Sequence, residues 1–140
     1  MSIPSTGTQQ VDDIRRDDRD PVTAGIIAAA IEVHKALGPG LLESVYEECL
    51  CHELTLRNVP HQRQICIPII YKGLEVSTAN YRLDILVDKE VVLELKAVEQ
   101  VLRVHRAQVL SYLRLTGKSK GLLINFNVPV LTEGITRVVL

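Results

Sequence analysis

Apolar positions divide the chain into a polar start followed by alternating helical and extended segments. From Thr23, which stands where an N-cap is expected, Ile26, Ala30, Val33 and Leu37 recur at helical spacing until Gly38-Pro39-Gly40 stops the run. A second helix is predicted from about Leu42 to Arg57, with Leu42, Val45, Cys49 and Leu56 on its apolar side and Asn58-Val59-Pro60 ending it. Gln64 to Tyr71 is a β-branched run, Lys72-Gly73 a turn signal, and Leu74 to Ser77 a returning strand; Pro68 marks an edge position. A third helix follows from Arg103 to Leu115, closed by Gly117, then a short apolar strand from Gly121 to Phe126 and a further one from Ile135 to Leu140. The order is that of an α/β sandwich of the α-β-β-β-α-β kind.

Between these lies the most informative stretch, Tyr81 to Lys96. Tyr81, Leu83, Ile85 and Val87 alternate as one apolar face, and Val91, Leu93, Leu95 and Ala97 as another. If both belong to one buried sheet face, a three-residue turn at Asp88-Lys89-Glu90 pairs Ile85 with Leu93 and Leu83 with Leu95. Asp84 then lies opposite Glu94 on the other face. A two-residue turn would scatter the hydrophobic set.

The chain of 140 residues has the size of one domain. Residues 1–22, polar and with the charge run VDDIRRDDRD, read as a mobile tail, and residues 23–140 as a single domain. A net charge of -1 gives no global attraction to nucleic acid, so phosphate binding must come from a local basic patch or a bound metal. Cys49, Cys51 and Cys66, with the scattered His34, His52, His61 and His105, match no zinc spacing, and the three cysteines read as reduced packing thiols of a cytoplasmic protein. The longest apolar stretch, Ala24 to Leu37, is short and carries Glu32, His34 and Lys35, which argues against a membrane span. No secretory signal, internal repeat, glycine-rich phosphate loop or G-x-S-x-G elbow is found.

Asp84, Glu94 and Lys96 are the candidate chemistry. Two carboxylates and an ammonium on one sheet face suit a divalent-metal phosphodiesterase, because hard oxygen ligands hold Mg²⁺ or Mn²⁺ and an adjacent lysine orients or deprotonates water. A solvated sheet face with cross-strand charges would show a similar pattern, but Asp is depleted from strand interiors and Leu86 and Val92 flank the polar group. Glu43 and Tyr46 share a helix face near the Gly-Pro-Gly turn and would aim at a site beyond the helix end; Glu43 alternatively only complements the helix dipole. Gln108 and Tyr112 stand four residues apart on one face of the third helix.

With G-x-x-E-x-x-Y at Gly40 to Tyr46, then Asp84, then E-x-K at Glu94 to Lys96, then Q-x-x-x-Y at Gln108 to Tyr112, the chain resembles the GxxExxY family of the PD-(D/E)XK nuclease superfamily over residues 23 to 128. The resemblance implies a restriction-endonuclease-like core, a mixed sheet flanked by helices. It implies Asp84 and Glu94 as metal ligands, with the Leu95 carbonyl a third and Glu43 contributing directly or through water, as in the RecB-like motif set. Lys96 would activate the nucleophilic water, and Gln108 and Tyr112 would lie near the scissile phosphate. Tyr46 would pack beneath the site. Leu83 stands where the superfamily name has proline, which is dispensable for ligation.

The expectation is a Mg²⁺- or Mn²⁺-dependent hydrolase, a nuclease acting on DNA in preference to RNA, with no membrane association. Arg82, Arg103, Arg106, Lys118 and Lys120 are candidate phosphate contacts. A homodimer would suit a small nuclease that must cut both strands, though no segment identifies its interface. The rival, from a different class, is a non-catalytic nucleic-acid-binding or protein-interaction module on the nuclease fold, which the neutral net charge and small size would suit.

Overall fold

The computed structural model describes residues 20–140, so the tail expected at the start of the chain lies, up to residue 19, outside the described residues. Three α-helices, α1 (Pro21–Leu37), α2 (Glu43–Leu56) and α3 (Arg103–Thr116), accompany β1 (His61–Ile67), β2 (Ile70–Tyr71), β3 (Leu74–Glu75), β4 (Tyr81–Val87), β5 (Val91–Lys96), β6 (Lys120–Asn125) and β7 (Ile135–Val139). The main sheet has the order β1-β4-β5-β6-β7, with β5 and β6 parallel and the other neighbours antiparallel. Helices α1 and α2 cover one face. Helix α3, the crossover that two parallel strands require, covers the other. The expected mixed α-β-β-β-α-β core is present.

Helix α1 starts earlier than its periodicity suggested. The Asp20 carboxylate accepts the Val22 N–H at 3.2 Å and the Thr23 hydroxyl at 2.7 Å, with Pro21 in the first turn, so Asp20 rather than Thr23 is the N-cap. In α2 the buried stripe is Tyr46, Leu50 and Leu54, one residue away from the predicted one, and Leu42 and Leu56 are 73% and 63% exposed. Apolar residues occur on both sides of this helix, so spacing alone did not select the face. Strand β1 stops at Ile67, just before Pro68, and is an edge strand as expected; β2 and β3 form a separate two-stranded ribbon rather than its continuation.

The β4–β5 hairpin turns through Asp88-Lys89-Glu90 with Asp88 and Lys89 both left-handed, and pairs Val87 with Val91, Leu86 with Val92 and Ile85 with Leu93. There the ladder ends, and the expected Leu83–Leu95 pair does not form. Leu83 packs with Ile67 and Val92 on the α3 side, whereas Ile85 and Val87 pack on the α1–α2 side. Strand β1 changes face at the same level. Arg63 reaches Glu47 of α2, Ile65 and Ile67 pack on the α3 side, and Gln64 between them has φ 50°. Because Arg63 pairs with Ile85 and Ile65 with Leu83, the two irregularities at Gln64 and Asp84 sit side by side and open the sheet beside β5.

On the opposite side of β5, Gly121 lets α3 lie directly on the sheet. A Cβ there would meet Val109 Cγ1 at 2.7 Å and the Val92 carbonyl at 3.3 Å. Among the described residues, no helix is long and apolar enough to cross a membrane.

Candidate active site

The opening between β4 and β5 is filled by polar groups. Asp84 Oδ2 accepts the Leu95 N–H at 2.8 Å, taking over a backbone donor that the interrupted ladder leaves unpaired. Glu94 and Lys96 stand at the carboxyl end of β5. Lys96 Nζ lies 3.7 Å from Glu94 Oε2 and donates to Gln108 Oε1 at 3.4 Å, and Gln108 Nε2 donates in turn to the Tyr112 hydroxyl at 2.8 Å. The E-x-K and Q-x-x-x-Y motifs thus form one polar chain across the β5–α3 interface.

Burial sets the electrostatics. Glu94 is 4% exposed and its Oε1 has no hydrogen-bond partner. Removal from water and the neighbouring Asp84 push its pKa up to about 8, with Lys96 opposing. Asp84 is also raised, chiefly by burial and against the pull of the Leu95 N–H. Glu43 still reaches solvent, yet partial burial and Asp84 raise its pKa while Lys96 lowers it, so its carboxylate shares the same field. Burial and then Glu94 raise Tyr112. With both carboxyls ionised, Asp84 and Glu94 repel at close range. A shared proton or a cation relieves that repulsion.

Tyr46, fully buried, connects the helix end carrying Glu43 to the strand end carrying Lys96. Its hydroxyl donates to the Gly38 carbonyl and accepts the Leu41 N–H at 3.1 Å, which pins the Gly-Pro-Gly turn in front of α2. Its ring stacks on Phe126 at 4.5 Å, and the Phe126 N–H donates to the Lys96 carbonyl at 2.9 Å. Asn125 secures the chain beyond Lys96 by accepting the Val98 N–H at 3.1 Å and donating to the Val98 carbonyl at 2.8 Å.

Glu47, given no role from the sequence, belongs to this region. One helical turn after Glu43, it is 8% exposed and takes hydrogen bonds from Arg63 Nη2 and Gln64 Nε2, each at 2.8 Å. It thereby holds the β1 irregularity that runs beside Asp84. Its i, i+4 spacing from Glu43 was visible, but its partners on a distant strand were not. Of the basic candidates, Lys120 is engaged by Asp20 at 2.8 Å and lies across from Val91, at the opposite end of β5 from Lys96. It is not a contact of this site.

Among the described residues, no three His, Cys, Asp or Glu side chains enclose a ready-made metal cage. The donor set nevertheless fits Mg²⁺, which commonly takes one or two carboxylates and keeps several waters. Glu94 Oε1, buried without a donor beside Asp84, is the orphan that such an ion would satisfy.

A family model of the PD-(D/E)XK nuclease superfamily matches residues 20–138, and the chain belongs to that superfamily. Its members are mostly nucleases, which generally use divalent metals such as Mg²⁺ and act on nucleic acid. Neither the curated proteins nor the solved structures contain a match to the chain.

Proposed function

We propose that this protein is a Mg²⁺- or Mn²⁺-dependent nuclease of the GxxExxY kind that hydrolyses phosphodiester bonds, in DNA in preference to RNA, in the cytoplasm. The observation that carries this reading is the orphaned Glu94 Oε1 beside Asp84, a buried and a half-buried carboxyl whose repulsion a cation would offset. Asp84, Glu94 and the Leu95 carbonyl would hold the ion, with Glu43 reaching it directly or through water. When bound, the ion supplies Lewis-acid polarisation of the phosphoryl oxygen and lowers the pKa of water.

The chain's own groups do the rest. Asp84, fixed through Oδ2 by the Leu95 N–H, would use its other oxygen for the ion. Lys96 is set between Glu94 and Gln108, where its ammonium orients the attacking water and balances charge on the phosphate. Tyr112 holds the Gln108 amide with its oxygen toward Lys96, so Lys96 remains at the carboxylates rather than swinging to solvent.

The deciding experiment is cleavage of labelled single- and double-stranded DNA and RNA with Mg²⁺, Mn²⁺ or EDTA, running wild type beside Glu94→Ala and Lys96→Ala. Metal-dependent cutting that disappears in both folded variants supports the nuclease. Cutting by both variants at the wild-type rate overturns the site. Binding without cutting in any metal favours the non-catalytic module instead.

A further inference from the structure

Beside the carboxylates, on the α3 side, lies a groove of about 590 Å³ walled by Ile69, Tyr81, Val104, Ser111, Tyr112 and Leu115. It is continuous with the polar chain of the site, because Gln108 and Tyr112 belong to both. Anything whose backbone is held at Asp84, Glu94 and Lys96 has this groove as its immediate neighbour.

The lining selects the occupant. The chain has four tyrosines, one phenylalanine and no tryptophan. Tyr46 and Phe126 are fully buried and stacked on each other, and two of the three remaining aromatics, Tyr81 and Tyr112, line this groove. Tyr81 is 51% exposed, so it presents a ring that nothing in the core requires. Ser111 and Gln108 supply donors and acceptors at the rim, as the edge of a flat heterocycle would need. Helix α3 carries Arg103, Arg106 and Arg114 and no acidic residue, although the chain as a whole has a net charge of -1. None of these arginines lines the groove itself, so they would serve not the base but the phosphodiester backbone running past the helix, a use that an apolar peptide would not have. In a duplex the faces of the bases are covered by stacking and their edges by pairing, so only an unstacked base can enter.

We propose that this groove is a base-binding subsite for single-stranded nucleic acid, with Tyr81 as the stacking platform for an unpaired base next to the phosphodiester at the carboxylates. The position of the cut relative to that base rests on the nuclease reading; the binding of the strand does not.

The test uses Glu94→Gln, which is expected to bind without cutting, and fluorescence anisotropy of a short labelled oligodeoxythymidylate, its abasic counterpart, and the same strand in a duplex. The single strand binds more tightly than either of the others. Adding Tyr81→Ala weakens binding on the order of 5- to 150-fold, and Tyr81→Phe restores it. Filling the groove with Ser111→Trp, on an exposed helix position, gives a second loss that leaves the Tyr81 edge intact. Equal affinity for normal and abasic strands, or tight binding in folded Tyr81→Ala, overturns the subsite. Wild-type cleavage in Mg²⁺ separates the two readings. Base-dependent binding with no cutting leaves the subsite and removes the nuclease. Metal-dependent cutting that is unaffected by Tyr81→Ala and equal on abasic strands leaves the nuclease and removes the subsite.

Discussion

Asp84 and Leu95 are joined by a side-chain-to-backbone hydrogen bond of 2.8 Å at the point where β4 ceases to pair with β5. The carboxylate thus has two tasks, completing the hydrogen bonding of a broken ladder and facing the proposed metal position. The tasks are separable. Asp84→Asn keeps an acceptor for the Leu95 N–H and should retain most of the stability while losing cleavage. Asp84→Ala should lose both, with a stability cost of about 1–3 kcal/mol for a buried unpaired N–H. Urea unfolding beside the cleavage assay checks this; equal destabilisation by the two variants would refute it.

Glu94, raised to about pKa 8 by burial and by Asp84, ties stability to pH. A carboxyl whose folded pKa lies above its unfolded value of 4.5 binds more protons in the folded state. Stability is therefore greatest below the unfolded value and is lost as pH rises from about 4.5 to 8. Asp84 and Glu43 shift the same way and reinforce the slope. In EDTA the melting temperature should fall across this window by on the order of 5 °C. Glu94→Gln should flatten the fall. Saturating Mg²⁺ should also flatten it, with release of a proton on binding. A flat wild-type profile in EDTA would show that Glu94 ionises without penalty.

Lys96 is the only cation within ion-pairing distance of Glu94 among the described residues. Lys96→Met should therefore reduce cleavage by about 10²- to 10⁴-fold, the range for a positioned proton-transfer or water-orienting group. It should also move the EDTA stability loss to higher pH, because the ammonium opposes the upward shift of Glu94. Arginine should not substitute, since its planar fork cannot occupy the place of a compact ammonium between Glu94 and Gln108.

Tyr46→Phe removes the hydroxyl that binds Gly38 and Leu41 but keeps the ring on Phe126. The expected loss is about 1–3 kcal/mol, for hydrogen bonds broken in a buried setting. The turn before α2 then no longer fixes Glu43, so half-saturation by Mg²⁺ in a thermal-shift titration should require several-fold more ion. An unchanged Mg²⁺ requirement would mean that Glu43 takes no part in holding it.

Much of this was readable along the chain. Helical periodicity marked α1 to α3 to within a few residues, the three-residue turn set the Ile85–Leu93 register, and the separated motifs pointed to Glu43, Asp84, Glu94, Lys96, Gln108 and Tyr112. These signals are local, arising from side-chain spacing within one helix or across one turn. The change of face at Gln64 and Asp84 is not local, because it depends on Arg63 and Gln64 meeting Glu47 across the fold. Nor was the N-cap legible, since Asp20 closes a run of like residues and is distinguished by its contacts with Thr23 and with Lys120, 100 positions away.

The sequence by itself determined which residues carry charge, which segments coil or extend, and in what order the acidic and basic groups follow. Only the tertiary structure decided that Glu94 Oε1 is buried without a hydrogen-bond donor, that Tyr46 braces both ends of the site, and that Tyr81 and Tyr112 share a groove beside it. The reason is physical: spacing is a property of neighbouring residues, whereas desolvation and close approach depend on everything that surrounds an atom once the layers have packed.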